Sequence, residues 1–380
     1  MGVKPGKKVT LKDIAEALGV ATSTVSNAYN RPDQLSPELR ERVFATAREL
    51  GYSGPDPMAR GLRRGRVGAI GVVYPDRLSY AFTDPVAPLF IQGIALEAEQ
   101  AGYGLLLVGT APDQSLTLAA TASVDGFVVQ CFADGDPLYK AVVGRRLPTV
   151  LVDNFRAAPG FPFVTVDDVG GARTAAEHLL GLGHRRLGVV SLQLAHDSTG
   201  GFLSPLQQSR ASYGPTRARL QGYRAALEAA GLSWERDVAV FECPDNTPEA
   251  GREAAEALLR LEPRPTAVLA MSDQLALGVL GYAAQQGVAV PRELSVVGYD
   301  DAPAAARTSP PLTTVRQDHV EKGRRAGQML IAHLEGREPP EGPATGASGR
   351  GSPGTGRRGS RLDRRHQRGR GPGSGPARRG

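Results

Sequence analysis

The fold is decided by residues 9–30, VTLKDIAEALGVATSTVSNAYN. Leu11, Ile14, Ala15 and Leu18 recur at i, i+3, i+4 and i+7, the one-sided apolar stripe of an amphipathic helix. Thr10 suits the N-cap, and Asp13 falls at the third helical position, where a carboxylate favours the dipole. Gly19 is the stop. After the turn of Gly19, Val20 and Ala21, a second short helix sends Val25, Ala28 and Tyr29 inward and leaves Thr22, Ser23, Ser26 and Asn27 outward. Ser36 and Pro37 then provide a cap and a first-turn proline for a third helix, with Leu39, Val43, Ala47 and Leu50 on one face and Gly51 at its end. Helix, tight turn and helix with a small-polar outer face is the helix-turn-helix pattern. Short hydroxyl and amide side chains fit a major groove: Asn27 can pair with an adenine edge, and Thr24 and Ser26 can reach bases or phosphates. A solvated face on an ordinary small helical domain is the plainer alternative.

Outward from this stretch, Ser53, Gly54, Pro55, Asp56 and Pro57 form a breaker cluster, and residues 58–66 carry four arginines. From Ala69 the rhythm changes. Apolar runs at 69–74, 104–108, 124–129, 149–152, 187–191, 267–271 and 294–297 alternate with amphipathic stretches such as 91–101, 171–182, 216–230, 249–261 and 274–286. Nearly unbroken apolar runs between helices predict parallel strands covered on both faces. About eleven strands and ten helices over ~270 residues predict two doubly wound parallel-sheet lobes rather than one sheet. After Gly336 the pattern collapses: residues 337–380 hold 12 Gly, 6 Pro and 11 Arg, with Leu362 as the one large aliphatic. No core can form from that composition, and a disordered tail is expected.

The chain has 380 residues and a net charge of +6, unevenly spread. Residues 1–68 carry +5, residues 337–380 carry +8, and the body between them carries −7. Basic ends on an acidic body direct attention to what each end touches. Cys131 and Cys243 are too few for a disulfide scaffold and lack zinc or redox spacing, so both are expected to be small buried apolar residues. No apolar run reaches membrane-spanning length, and Lys4, Lys7 and Lys8 lead into a polar stretch rather than a signal-peptide core. A cytoplasmic protein without membrane contact is expected.

The body shows no metalloprotease, nucleophile-elbow or phosphate-loop motif and no dinucleotide fingerprint after its first strand, so no enzyme activity, cofactor or metal is expected. Ligands in doubly wound lobes sit at the carboxyl ends of strands, so polar groups there are the candidates. Asp153, Ser272 with Asp273, and Asp300 with Asp301 each follow an apolar run. Carboxylates accepting paired hydroxyls, with Arg219 donating to oxygens, are what a sugar-sized polyol requires. Asp273 is expected to cap the following helix, Asp301 to sit in a turn, and His184 to be structural.

Residues 9–30, with LSPELRERV from Leu35 and ELGY from Glu49, closely resemble the headpiece and exit of the lactose/galactose repressor (LacI/GalR) family. The resemblance extends to about Gly336, interrupted by a less typical stretch at 196–215. It implies a helix-turn-helix headpiece on a periplasmic-binding-protein-like body of two lobes. By resemblance Thr22 and Ser23 occupy the base-reading positions, and Thr24, Ser26, Asn27 and Asn30 surround them. Ala21 stands where the family usually has serine, and Thr22 would take over the cap or phosphate contact there. Residues 56–63 resemble a hinge helix, with Ala59, Arg60 and Leu62 as DNA contacts and Leu62 as a minor-groove wedge. Asp300 and Arg219 are the foremost effector-site candidates, followed by Ser272, Asp153 and Asn246. Asn246 replaces the aromatic that often stacks on the ligand, and Phe82 and Asp84 would come from the rim of the first lobe.

The expected organisation is a headpiece at 1–54, a hinge at 55–67, an effector and dimerisation body at 68–336, and the basic tail. The resemblance implies a homodimeric repressor on double-stranded, pseudo-palindromic operator DNA, controlled by a small carbohydrate-like effector. A periplasmic-type sugar-binding protein or a doubly wound enzyme is the competing class. The missing signal sequence opposes the first, the missing catalytic motifs the second, and the headpiece both. The Gly/Arg/Pro tail replaces an expected final strand and reads like an out-of-frame translation.

Overall fold

A computed structural model describes residues 9–52, 54, 66–74, 76–109, 115–133, 135–153 and 160–338. The chain divides into two compact units, Met1–Gly68 and Ala69–Gly380. Ala59, Arg60, Leu62 and the rest of the expected hinge up to residue 65 lie outside the described residues, as does the tail from residue 339.

In the first unit, α1 (Leu11–Leu18) starts on a full capping box: Asp13 N–H donates to the Thr10 hydroxyl while the Asp13 carboxylate accepts from Thr10 N–H. It ends at Gly19, whose φ of +66° is the left-handed conformation that glycine adopts without strain. Helix α2 (Thr22–Asn30) and α3 (Pro37–Glu49) follow, the latter capped by Ser36. Ile14, Ala15, Val25, Ala28, Val43 and Ala47 form the core, with the Tyr29 ring edge-on to Phe44 and Tyr52. Leu50, expected on the inner face of the third helix, is 40% exposed; it lies past the last helical turn and points outward.

The second unit has two sheets. The first is all parallel, in the order β2-β1-β3-β4-β5: β1 (Ala69–Val73), β2 (Gly104–Val108), β3 (Gly126–Gln130), β4 (Thr149–Val152) and β5 (Phe163–Val164). Helices α4 (Ala87–Ala101), α5 (Ser115–Thr121) and α6 (Pro137–Gly144) belong to this lobe. Buried side chains pack on both sides of the sheet. The run at 104–108 is an exception to the expected double cover: β2 is an edge strand whose side chains alternate outward, with Leu106 40% exposed.

The second sheet runs β11-β10-β9-β6-β8-β7, from β6 (Leu187–Ser191), β7 (Gly201–Phe202), β8 (Val238–Glu242), β9 (Ala267–Ala270), β10 (Ser295–Asp300) and β11 (Thr313–Arg316). All neighbours are parallel except β7, which pairs antiparallel with β8 and comes from the atypical 196–215 stretch. This lobe carries α7 (Asp168–Gly181), α8 (Pro205–Gln208), α9 (Gly214–Ala229), α10 (Trp234–Asp237), α11 (Pro248–Leu259) and α12 (Asp273–Gln285).

The last described helix, α13 (His319–Leu334), crosses back and buries Ala326, Leu330 and Ile331 with the first lobe's Ile70, Phe90 and Ile94. Gly93 on α4 and Gly323 on α13 meet there: a Cβ on Gly93 would strike Val320 O, and one on Gly323 would strike Phe90 O. The two backbones approach as only glycines permit. That crossing fixes residues 317–322 between the lobes. None of the helices among the described residues is long and apolar enough to cross a membrane.

Candidate DNA-reading helix and effector cleft

In the first unit, Thr22 and Ser23 are exposed on α2, and Thr24, Ser26, Asn27 and Asn30 are half-buried. Asn27 Nδ2 is 3.5 Å from Gln34 Oε1, a long contact that leaves its amide available. Asn30 is more committed, donating to Ser26 O at 3.0 Å and to the Ser26 hydroxyl at 3.3 Å. Ala21 is the N-cap and makes no side-chain cap bond. Thr22 does not take that role: it is the first helical residue, with its side chain beyond the position from which a cap accepts. The first amides of α2 are thus left without a side-chain cap on the face that carries Thr22 and Ser23.

In the second unit, each sheet reverses its strand order once: between β1 and β3 in the first, and between β6 and β9 in the second. Such switch points open a crevice at the carboxyl ends of the strands. A cleft of about 220 Å³ lies there, lined by Tyr74, Gln130 and Cys131 from one switch point and Leu192, Gln193 and Ser272 from the other. Asp84, Asp153, Arg219, Asn246 and Asp300 also line it. Three lining residues, Cys131 (φ +43°), Asp153 (+57°) and Asp300 (+112°), hold positive φ without being glycine. Backbone strain of this kind concentrates at binding sites.

The charged groups are paired across secondary structure. Arg219 is buried; its Nε donates to Asp168 Oδ1 at 2.9 Å, another guanidinium nitrogen donates to Met271 O, and the group lies 3.7 Å above the Tyr299 ring. Lys322, at the start of α13, donates to Asp153 Oδ2 at 2.8 Å and to Gln317 Oε1 at 3.0 Å. Burial is the largest single influence and disfavours its ammonium, but Asp153 and Asp168 together outweigh it and lift the pKa above the ordinary lysine value. Gln317 Nε2 in turn donates to Asp300 Oδ1 at 2.7 Å. Asp300, Gln317, Lys322 and Asp153 therefore form one chain of hydrogen bonds from the second lobe to the first. Burial pushes the Asp300 carboxyl well above its usual range, with Arg219 opposing. His319 Nε2 lies 3.8 Å from Asp300 Oδ1, beyond hydrogen-bond reach. Burial, with Lys322 and Arg219 nearby, pushes its pKa down to about 3, so the imidazole is neutral.

Ser272 caps α12 through Leu275 N–H and donates to Asn246 Oδ1. Tyr80 from the first lobe donates to Asn246 O at 3.1 Å, a second tie across the cleft.

Four sequence expectations need correction. Asp273 is not the cap of its helix; Ser272 is, and Asp273 is buried, accepting from Ala302 N and the Thr314 hydroxyl. Phe82 is not a cleft residue: it is 66% exposed and absent from the lining. Cys131 is not a core residue but lines the cleft, where burial pushes its thiol up to about 12, while Cys243 is buried in the second lobe as expected. Thr22, as described, does not cap α2. His184 is structural, bridging Thr266 Oγ1 and Ser295 Oγ at 2.9 and 3.0 Å.

Residues 10–54 match the bacterial regulatory proteins, lacI family, and residues 176–352 match the periplasmic binding protein-like domain. An HTH-type transcriptional regulator of Mycolicibacterium smegmatis is 40% identical over 335 residues, 86% of this chain and 91% of that protein. This chain belongs to the LacI family. Two solved structures are similar over most of the chain. The lac repressor dimer bound to operator and the anti-inducer ONPF is 26% identical with a TM-score of 0.69, covering 87% of this chain and 94% of that one. The transcriptional regulator CelR–cellobiose complex is 28% identical with a TM-score of 0.61, covering 86% and 94%. The LacI-family chain described here is a DNA-binding transcriptional regulator with an effector-binding body, and its relatives are transcriptional regulators.

Gln130, Asp168, Gln317, His319 and Lys322 were not legible in the sequence as cleft groups. Asp168 and Lys322 belong to amphipathic helices, where a charged residue reads as solvated, and nothing local signals their burial. Gln317 and His319 follow β11 directly, so the rule of polar groups at strand ends could have found them.

Proposed function

We propose that this LacI-family regulator is a homodimeric, cytoplasmic repressor that releases or grips its operator according to a carbohydrate-like effector in the cleft. Residues 1–54 act as the headpiece, 55–67 as the hinge and 68–336 as the effector and dimerisation body. Thr22, Ser23, Thr24, Ser26, Asn27 and Asn30 contact DNA, aided by Ala59, Arg60 and the Leu62 wedge. Arg219, Asp153, Ser272, Asn246, Asp84 and Asp300 hold the effector.

The observation that carries this reading is the cleft formed where both switch points face each other, rich in paired polar groups, on the chain that bears α2. The cellobiose complex of a relative supports a sugar-like ligand, and the operator-bound dimer of another supports a two-fold arrangement. Two headpieces would place recognition helices in major grooves of mirrored half-sites. Effector acts only insofar as it binds one lobe arrangement better than the other.

Selection from random-sequence DNA followed by a gel shift tests this reading. Enrichment of a pseudo-palindrome at moderate salt supports it, and binding without sequence preference refutes it. Leu62→Ala is expected to weaken operator binding more than non-specific binding; equal losses would remove the wedge.

A further inference from the structure

Cleft chemistry narrows the effector class. Both cations of the cleft are already matched, Arg219 by Asp168 at 2.9 Å and Lys322 by Asp153 at 2.8 Å. Two further buried carboxylates line the same space and form no ion pair with an arginine or lysine among the described residues. Asp84 accepts from the Tyr74 hydroxyl at 3.3 Å and from Val86 N at 3.4 Å. Asp300 accepts from Gln317, and His319, 3.8 Å away, is neutral. Asp76 and Asp245, also lining, add to the negative side.

A second observation concerns hydrogen bonding. His319 Nε2 is more than nine-tenths buried and Gln130 Oε1 is shut off from solvent, both line the cleft, and neither has a hydrogen-bond partner. Buried polar atoms left open at a cleft surface are costly unless a ligand completes them. Gln130 Oε1 can only accept, as can a carboxylate while ionised, so the missing groups are mostly donors.

We infer that the cleft binds an uncharged polyhydroxy compound, its hydroxyls donating to Asp84, Asp300 and Gln130, and rejects the phosphorylated or carboxylated counterparts of the same compound. This rests on the effector reading above and sharpens it. An added phosphate would bring up to two negative charges beside carboxylates that lack a counter-ion, in a site poorly screened by water. Burial raises the proton affinity of Asp84 and Asp300, and a bound anion would raise it further. The start of α9 also opens on the cleft, through Tyr213, Pro215 and Thr216, but a helix end offers only about half an elementary charge. Arg219 and Lys322 are each already paired with a buried carboxylate, so an anion would have to compete with that partner.

The test uses the full chain in thermal-shift and calorimetric titrations. Pentoses, hexoses, hexitols and disaccharides are each compared with their own monophosphate ester and their own sugar acid. The expected result is stabilisation by one or more uncharged compounds, with the matched anion at least tenfold weaker. Asp84→Asn, removing one uncompensated carboxylate, is expected to narrow that ratio several-fold. A phosphate ester or sugar acid that binds as tightly as its uncharged partner overturns the inference and leaves the polyol reading standing. Failure of every compound in all three series overturns both.

Discussion

Asp168 and Arg219 show how much of this cleft is decided by single buried groups. Their ion pair is almost wholly out of water. Removing one charge strands the other, a loss of about 3–5 kcal/mol for a buried pair. Asp168→Asn is therefore expected to lower unfolding free energy by about that amount, measured by urea denaturation. A loss below 1 kcal/mol would mean that the pair is not sequestered. His319 makes a prediction in pH. Its folded pKa, about 3, lies below the ordinary 6.5 because burial, Lys322 and Arg219 disfavour the imidazolium. The unfolded chain thus binds the extra proton first as pH falls, so this group's stabilisation is complete above about 6.5 and lost progressively toward 3, by up to about 1.4 kcal/mol per pH unit. Asp84 and Asp300 act in the opposite sense, so the comparison of wild type with His319→Gln isolates the effect. The variant should lose less stability than wild type between pH 6.5 and 4; parallel curves would contradict the burial of a neutral histidine. Arg219, Asp153, Ser272 and Asp300 were legible because each sits where strand-end chemistry or a family motif directs attention. Lys322 was not, since its buried partner Asp153 lies 169 residues away in sequence.

Among elements, those specified by adjacent residues were the most legible. Helix α1 carries its cap, stripe and stop within ten residues of chain, and the structure reproduces all three. Thr10→Ala is expected to destabilise the first unit by about 0.5–2 kcal/mol in thermal unfolding, through loss of the cap. The apolar runs likewise became strands near their expected bounds, because a buried parallel strand is apolar along its whole length. Strand β2 misled for the same reason: an edge strand can be apolar and still present Leu106 to the surface. Helix α13 reads in sequence as one more amphipathic stretch, yet its contact with α4 through Gly93 and Gly323 closes the first lobe and carries Lys322 into the cleft. No local pattern records such a return, because the partner is chosen by topology. Enlarging Gly323 to leucine should disrupt this crossing and weaken effector binding and stability together. Unchanged binding in that variant would separate the crossing from the cleft.

At the scale of the whole molecule, the uneven charge acquires a division of labour. The +5 of residues 1–68 belongs to the unit that carries the helix-turn-helix, and the body, at −7, holds a cleft lined by several carboxylates. DNA affinity should therefore fall steeply with added salt, while binding of an uncharged effector should barely change. The ties across the cleft, from Asp300 through Gln317 and Lys322 to Asp153 and from Tyr80 to Asn246, are the contacts that an effector would strengthen or displace. Linkage then requires effector and operator to alter each other's affinity by the same factor. The decisive measurement is fluorescence anisotropy of the selected operator, titrated with the full chain with and without the polyol found by thermal shift, for wild type and Asp300→Asn. A change in operator affinity of about 5-fold or more in wild type, absent in a variant that still binds the operator normally, is the expected result. Operator affinity indifferent to a ligand that fills the cleft would contradict control of DNA binding by that cleft.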